Sequence, residues 1–261
     1  MKLEDNVIEM LKKNEKDDYI NEIKDLTIFF NTNHISKLTP SFRPGNMIGQ
    51  NCIVLLQTNL YRIKLLCYGY VNGLNMNTPI ISTLSLRAIL ETTGSLAFLL
   101  KKYNQYKSGE LSQDEFEENI KRLYLGLKDK RNLPEAPDPI NVMTLIDAVD
   151  HYLKIHYKFR EKNFRLSYDD LSERCHPNSF GYLLGHKIDE KFTVNFSDDS
   201  TIHSPIEYDL EYFSITIKLY KDIYRELRNK IEENEEIPFK ELYHFKNYKW
   251  KSGPNKSPFC N

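Results

Sequence analysis

The chain has 261 residues, 40% hydrophobic and 28% charged, a globular balance that excludes disorder over most of its length. A net charge of -1 provides no overall field to draw nucleic acid or an anionic membrane, so either partner would have to be met by a local patch. With only 10 glycines and 11 prolines the chain lacks the turns that an all-β fold requires, which points to long helices.

Residues 3–30 show helical periodicity in two stripes, separated by the charged break Lys16-Asp17-Asp18. Pro40, Pro44 and Gly45 mark a loop or linker at 31–46. Residues 1–45 therefore read as a helical appendage. The spacing predicts a long helix from Met47 to about 71, apolar on most of its circumference and so central in a bundle. A turn at 73–77 ends it, and Thr78-Pro79 opens the next helix, with a cap residue before a proline at the first helical position. Ser112 and Glu115 form a capping box for a helix running to about 128.

After a proline-rich loop at 131–139, Asp138-Pro139 is expected to open a helix to about 157. Ser167-Tyr168-Asp169-Asp170 is expected to cap a short helix that ends near His176-Pro177. Residues 191–196 alternate with period two and read as a short strand or hairpin, and a last long helix covers 205–235. The expected fold is an all-α bundle of six to eight helices, with at most a small hairpin in 180–200. Its main domain spans 46–236, followed by a tail at 237–261.

Four cysteines, Cys52, Cys67, Cys175 and Cys260, form no Cys-x-x-Cys pair, so a reducing compartment is expected. The first six residues include the acidic Glu4 and Asp5 where a signal peptide would be basic and then apolar. The apolar runs fall short of the roughly 20 residues of a spanning helix. A cytoplasmic location without membrane contact is the expectation.

Two polar groups stand out. Arg87 and Glu91 lie four apart on an apolar helix and share a face. They form either an ion pair tying helices together or the wall of a polar pocket. Tyr168, Ser172 and His176 recur at helical spacing in a compact segment rich in acid, base and thiol groups. There His176 is either a general acid or base, or a helix end that meets the terminal carbonyls. Asp147 and His151, one turn apart, either pair or lie on a solvated face. Glu173-x-x-His176 and Glu241-x-x-His244 also match half of a di-iron carboxylate site, with Glu91 as a further ligand. No P-loop, dinucleotide fingerprint or nucleophile elbow is present, and neither a cofactor nor a metal is assigned.

The order of these features resembles the HEPN-like helical proteins of bacteria. Arg87-x-x-x-Glu91 is followed by a helix at 141–147 and then by Tyr168, Leu171, Ser172, His176 and Pro177. The resemblance covers residues 47–230. It implies a helical scaffold, often dimeric, in metal-independent ribonucleases of toxin or antiphage systems, with Arg87, Glu91, Tyr168, Ser172 and His176 as the catalytic group. RNA or a nucleotide and a second copy of the chain are the partners it implies. The family's catalytic motif, an arginine followed by four to six residues and then a histidine, has no match at any histidine of this chain. A non-catalytic interaction module is therefore the alternative.

In the tail, Phe239, Tyr243, Phe245, Tyr248 and Trp250 alternate with Lys240, Lys246, Lys249 and Lys251. Such a pattern packs on its own domain or a second subunit with lysine stems lying along the surface, or it stacks bases of a single strand.

Overall fold

The computed structural model describes residues 1–36, 38–39, 47–159, 161–178, 181, 187–188, 193–195, 205–235 and 248–249. Among these the chain forms eight helices: α1 (Asp5–Lys13), α2 (Asp17–Asn33), α3 (Met47–Asn75), α4 (Pro79–Lys107), α5 (Gln113–Leu125), α6 (Val142–Tyr157), α7 (Asn163–Cys175) and α8 (Pro205–Asn234). Strands are two-residue pieces: β1 (Leu38–Thr39), β2 (Lys187–Ile188), β3 (Val194–Asn195) and β4 (Tyr248–Lys249). β2 and β3 pair antiparallel in the region where the alternating pattern predicts a hairpin. β1 and β4 pair parallel, a contact the sequence pattern does not announce. The chain is an all-α bundle, as its composition leads one to expect.

α3 and α4 form an antiparallel hairpin. The tight turn at 76–78 returns the chain so that the Thr78 hydroxyl donates to Gly73 O at 3.3 Å. Thr78 was expected to cap α4 through its side chain, but it fastens the end of α3 instead. The helices approach closely where Gly69 and Gly73 face Ser85 and Ser82. A Cβ on Gly73 would stand 2.7 Å from the Ser82 backbone. α4 also meets α5, α6, α7 and α8. By length and composition it could cross a membrane, but 67% of its apolar window is buried inside the bundle.

The segment read as an appendage shares the apolar cluster of the rest. Leu3, Val7, Leu11, Leu26 and Phe30 are buried in it with residues of α3, α4 and α8. A buried Gln57 on α3 fixes the end of α2. Its Oε1 accepts from Ile35 N at 2.9 Å, and its Nε2 donates to Asn33 O at 3.1 Å and Tyr224 Oη at 3.0 Å. A buried amide is tolerated because these bonds replace the water it lost.

Two helix starts differ from the sequence reading. α6 begins at Val142 rather than at Pro139, with Asn141 as N-cap accepting from Met143 N at 2.8 Å. Pro139 stays outside the helix because it lies against Gly126, where a Cβ would come within 2.6 Å of its Cα, and Arg122 Nε donates to the neighbouring Asp138 O. α7 begins at Asn163 rather than near Ser167. Its free N–H groups are met from another helix: Asp150 on α6 accepts from Phe164 N at 3.0 Å and Arg165 N at 3.2 Å. Ser167, expected as a cap, sits inside α7 and donates back to Asn163 O. The capping box at Ser112 and Glu115 is present as read.

Of the aromatic tail only Tyr248 and Lys249 are among the described residues. Their backbone pairs with Leu38 and Thr39, so this piece lies on its own chain. Phe239, Tyr243, Phe245 and Trp250 lie outside the described residues.

Gly94 sets the distance between α4 and α6, since a Cβ there would come within 2.8 Å of the Leu145 carbonyl. Alanine gains about 1 kcal/mol of helix propensity over glycine, but the backbone it meets cannot rotate away. We expect Gly94→Ala to lower stability by about 1–3 kcal/mol, read as a lower urea midpoint. A raised midpoint would mean that the two helices slide apart without cost.

Candidate functional site

α4 and α7 cross where Arg87 and Tyr168 meet. The first turns of α4 carry Thr83, Arg87 and Glu91 at spacings of four, so all three ride near one edge of the helix. α7 presents Tyr168 and Cys175, seven apart, on the face that meets this edge. Arg87 Nη2 donates to Tyr168 Oη at 3.2 Å, and Tyr168 Oη donates to Glu91 Oε1 at 3.0 Å. Arg87 Nε lies 3.4 Å from Glu91 Oε1, an ion pair of helical spacing. The guanidinium carbon sits 5.4 Å from the centroid of the Tyr168 ring. The phenol thus bridges a cation and a carboxylate, while Arg87 Nε is buried without a hydrogen-bond partner among the described residues.

Burial works against the Arg87 charge, but Tyr168, Glu91 and Cys175 outweigh it and raise its pKa. The Cys175 thiol lies within hydrogen-bonding reach of Arg87. Burial pushes that thiol up, and the pull of Arg87 only partly offsets it. That upward shift works against a thiolate at Cys175.

The remaining sequence-selected residues part company. Ser172 Oγ is buried on α7 with no hydrogen-bond partner among the described residues. His176 is the C-cap of α7 and is exposed, and its imidazole makes no hydrogen bond to a described residue. Arg87, Glu91 and Tyr168 are brought together, and His176 does not join them. Glu173 accepts from Asn178 Nδ2 at 2.9 Å. Among the described residues no group of three His, Cys, Asp or Glu could hold a metal ion, and Glu241 and His244 lie outside them. Asp147 pairs with Arg165 at 2.9 Å and with Lys162 at 3.6 Å, not with His151.

A second network on the other side of α7 was not read from the sequence. Arg174, 9% exposed, donates to Asp209 Oδ1 at 2.6 Å and to Asp170 Oδ2 at 2.9 Å. Thr83 Oγ1 donates to Asp209 Oδ2 at 3.0 Å. Burial pushes the Asp209 carboxyl up, while Arg174 and Thr83 pull it back. Asp170 and Arg174 are a legible pair at spacing four, but Asp209 enters from α8 and has no local signal.

No protein-family model, no curated protein and no solved structure matches this chain. The site is therefore read from its own geometry. It holds one arginine whose fork is already engaged by a phenol and a carboxylate, and among the described residues His176 does not reach it. Such an arrangement ties two helices together and leaves one edge of a guanidinium toward solvent, with the side chain 27% exposed.

Arg174→Ala strands Asp209 as a buried charge and should cost about 3–5 kcal/mol. Arg174→Met combined with Asp209→Leu should recover most of that loss in chemical denaturation. If the double variant were as unstable as the single one, the charge would not be the cause. Tyr168→Phe removes only the bridging hydroxyl of the outer cluster and should cost about 0.5–1.5 kcal/mol. An effect as large as that of Arg174→Ala would show that the outer cluster is the main tie.

Proposed function

We propose that this chain is a HEPN-like helical interaction module that associates with a second copy of itself and does not cut RNA. One observation carries the proposal: the outer face of the α3–α4 hairpin carries large, partly exposed apolar side chains. Tyr61, Leu65 and Tyr68 on α3 are 49%, 52% and 38% exposed, and Ile81 and Leu84 on α4 are 42% and 48% exposed. Neighbouring exposed apolar side chains on this scale mark an interaction surface. Gly69 and Ser85 approach closely between α3 and α4, and in the proposed dimer the large side chains of one copy would seat over these small residues of the other. Isologous pairing of this kind is the commonest symmetry of oligomers. The engaged Arg87 and the detached His176 support binding over cleavage.

A second reading keeps the RNA or nucleotide partner of a toxin or antiphage component. It is favoured by the solvent edge of Arg87, which borders the apolar face and could take a phosphate oxygen. A cytoplasmic setting suits both readings.

Sedimentation of the wild type beside a Leu65→Glu, Leu84→Glu variant tests the proposal. We expect a dimer for the wild type and a folded monomer for the variant, with equal helix content by circular dichroism. A wild type that stays monomeric at tens of micromolar would overturn the self-association. Cleavage of labelled RNA by the wild type, abolished by His176→Ala, would favour the enzymatic reading instead.

A further inference from the structure

α4 and α6 run side by side in the same direction. They touch at Gly94 and Leu145, and one turn on the buried Ala97 and Ala148 keep them close. Beyond that point larger side chains of both helices line a groove of about 470 Å³. This volume lies within the range of sites for small organic ligands.

The α6 wall is stiff. Tyr152 stacks on His156 with ring centroids 4.1 Å apart and planes at 24°. Glu226 of α8 approaches His156 Nε2 at 3.6 Å, and its charge also acts on the Tyr152 hydroxyl. Ile155 on the same wall is 59% exposed, and Leu100 and Ala97 give an apolar floor.

The α4 wall is polar. Lys101, Asn104 and Gln105 line it at helical spacing. Lys102 Nζ donates to Gln105 Oε1 at 3.1 Å, which leaves the Gln105 amide nitrogen as a donor. His151 lies across from Lys101. Burial and the fields of Lys101 and Lys154 hold its pKa below the ordinary value. The acidic side chain among the lining residues, Glu110, accepts from Ser108 Oγ at 3.1 Å.

We infer that this groove is a binding site for a small planar anion: a ring system seated on Ala97, Leu100 and Ile155, with a carboxylate or phosphate held by Lys101 and His151. The two halves of the ligand follow from the two walls. An apolar floor beside a fixed aromatic stack favours a flat ring, and a lysine facing an imidazole and an amide donor favours a charge-assisted contact with an anion. The site starts about 15 Å along α4 from Arg87 and does not depend on self-association.

The test is calorimetric titration of the full chain with AMP and with indole-3-carboxylate, beside adenosine and inorganic phosphate. At least one of the two ring-bearing anions should bind, shifting the His151 ring protons in NMR, and about tenfold more tightly than adenosine or phosphate. Binding of AMP alone assigns phosphate as the anionic group, and binding of indole-3-carboxylate alone assigns carboxylate. Lys101→Glu and Gln105→Trp sit at partly exposed positions and should each weaken binding about tenfold with an unchanged melting temperature. The inference is overturned if neither ring-bearing anion binds at millimolar concentration. It is also overturned if adenosine or phosphate alone binds as well, or if both variants bind like the wild type.

Discussion

A helix surrounded by neighbours has to be slender, and α4 is surrounded by five: α3, α5, α6, α7 and α8. Its sequence answers that constraint with small side chains at the contacts. Gly94 and Ala97 face α6, and Ser82 and Ser85 face α3. Thr83, Thr92 and Thr93 are all buried. Each hydroxyl finds a partner without widening the helix: Thr92 donates to Ala88 O at 2.7 Å, Thr93 to Ile89 O at 2.9 Å and Thr83 to Asp209. Bulk at these positions would force the neighbours outward, and the groove, the charge clusters and the hairpin face would all move with them.

α7 is tied down by charge on two sides. Arg174 reaches Asp209 and Asp170 on one, and Tyr168 reaches Arg87 and Glu91 on the other. The inner tie is nearly dry, so it is geometrically strict: a 2.6 Å contact to Asp209, itself held by Thr83 of α4. The outer tie is half open to water, where an ion pair contributes little by itself. The difference in burial gives the two clusters different work. The inner one joins three helices at a point, and the outer one trims the angle at which α7 meets α4.

Much of the frame is legible along the chain because helices announce themselves locally. The break before Asp17, the capping box at Ser112 and Glu115 and the turn after α3 all depend on residues within a few positions of one another. The Arg87–Glu91 pair is legible for the same reason. What escapes is anything supplied from a distance. Asp150 starts α7, Asp209 neutralises Arg174, and Leu38 and Thr39 receive Tyr248 and Lys249, each from far along the chain. The expected capping role of Ser167 failed because a stronger acceptor came from another helix. Cys175 was set beside His176 by sequence, yet its working neighbour is Arg87, because adjacent residues on a helix point apart. The groove between α4 and α6 could not be read at all, since its lining residues come from two helices distant in sequence.

The start of α7 carries one more implication. Lys162 makes no side-chain cap, and the acceptors for the first amides belong to Asp150. The free energy needed to nucleate a helix is thus met only after α6 exists and has swung into place, which makes α7 a conditional element. It is also the element that carries Tyr168 and Arg174. One carboxylate therefore anchors the first turn of the helix on which both ties depend.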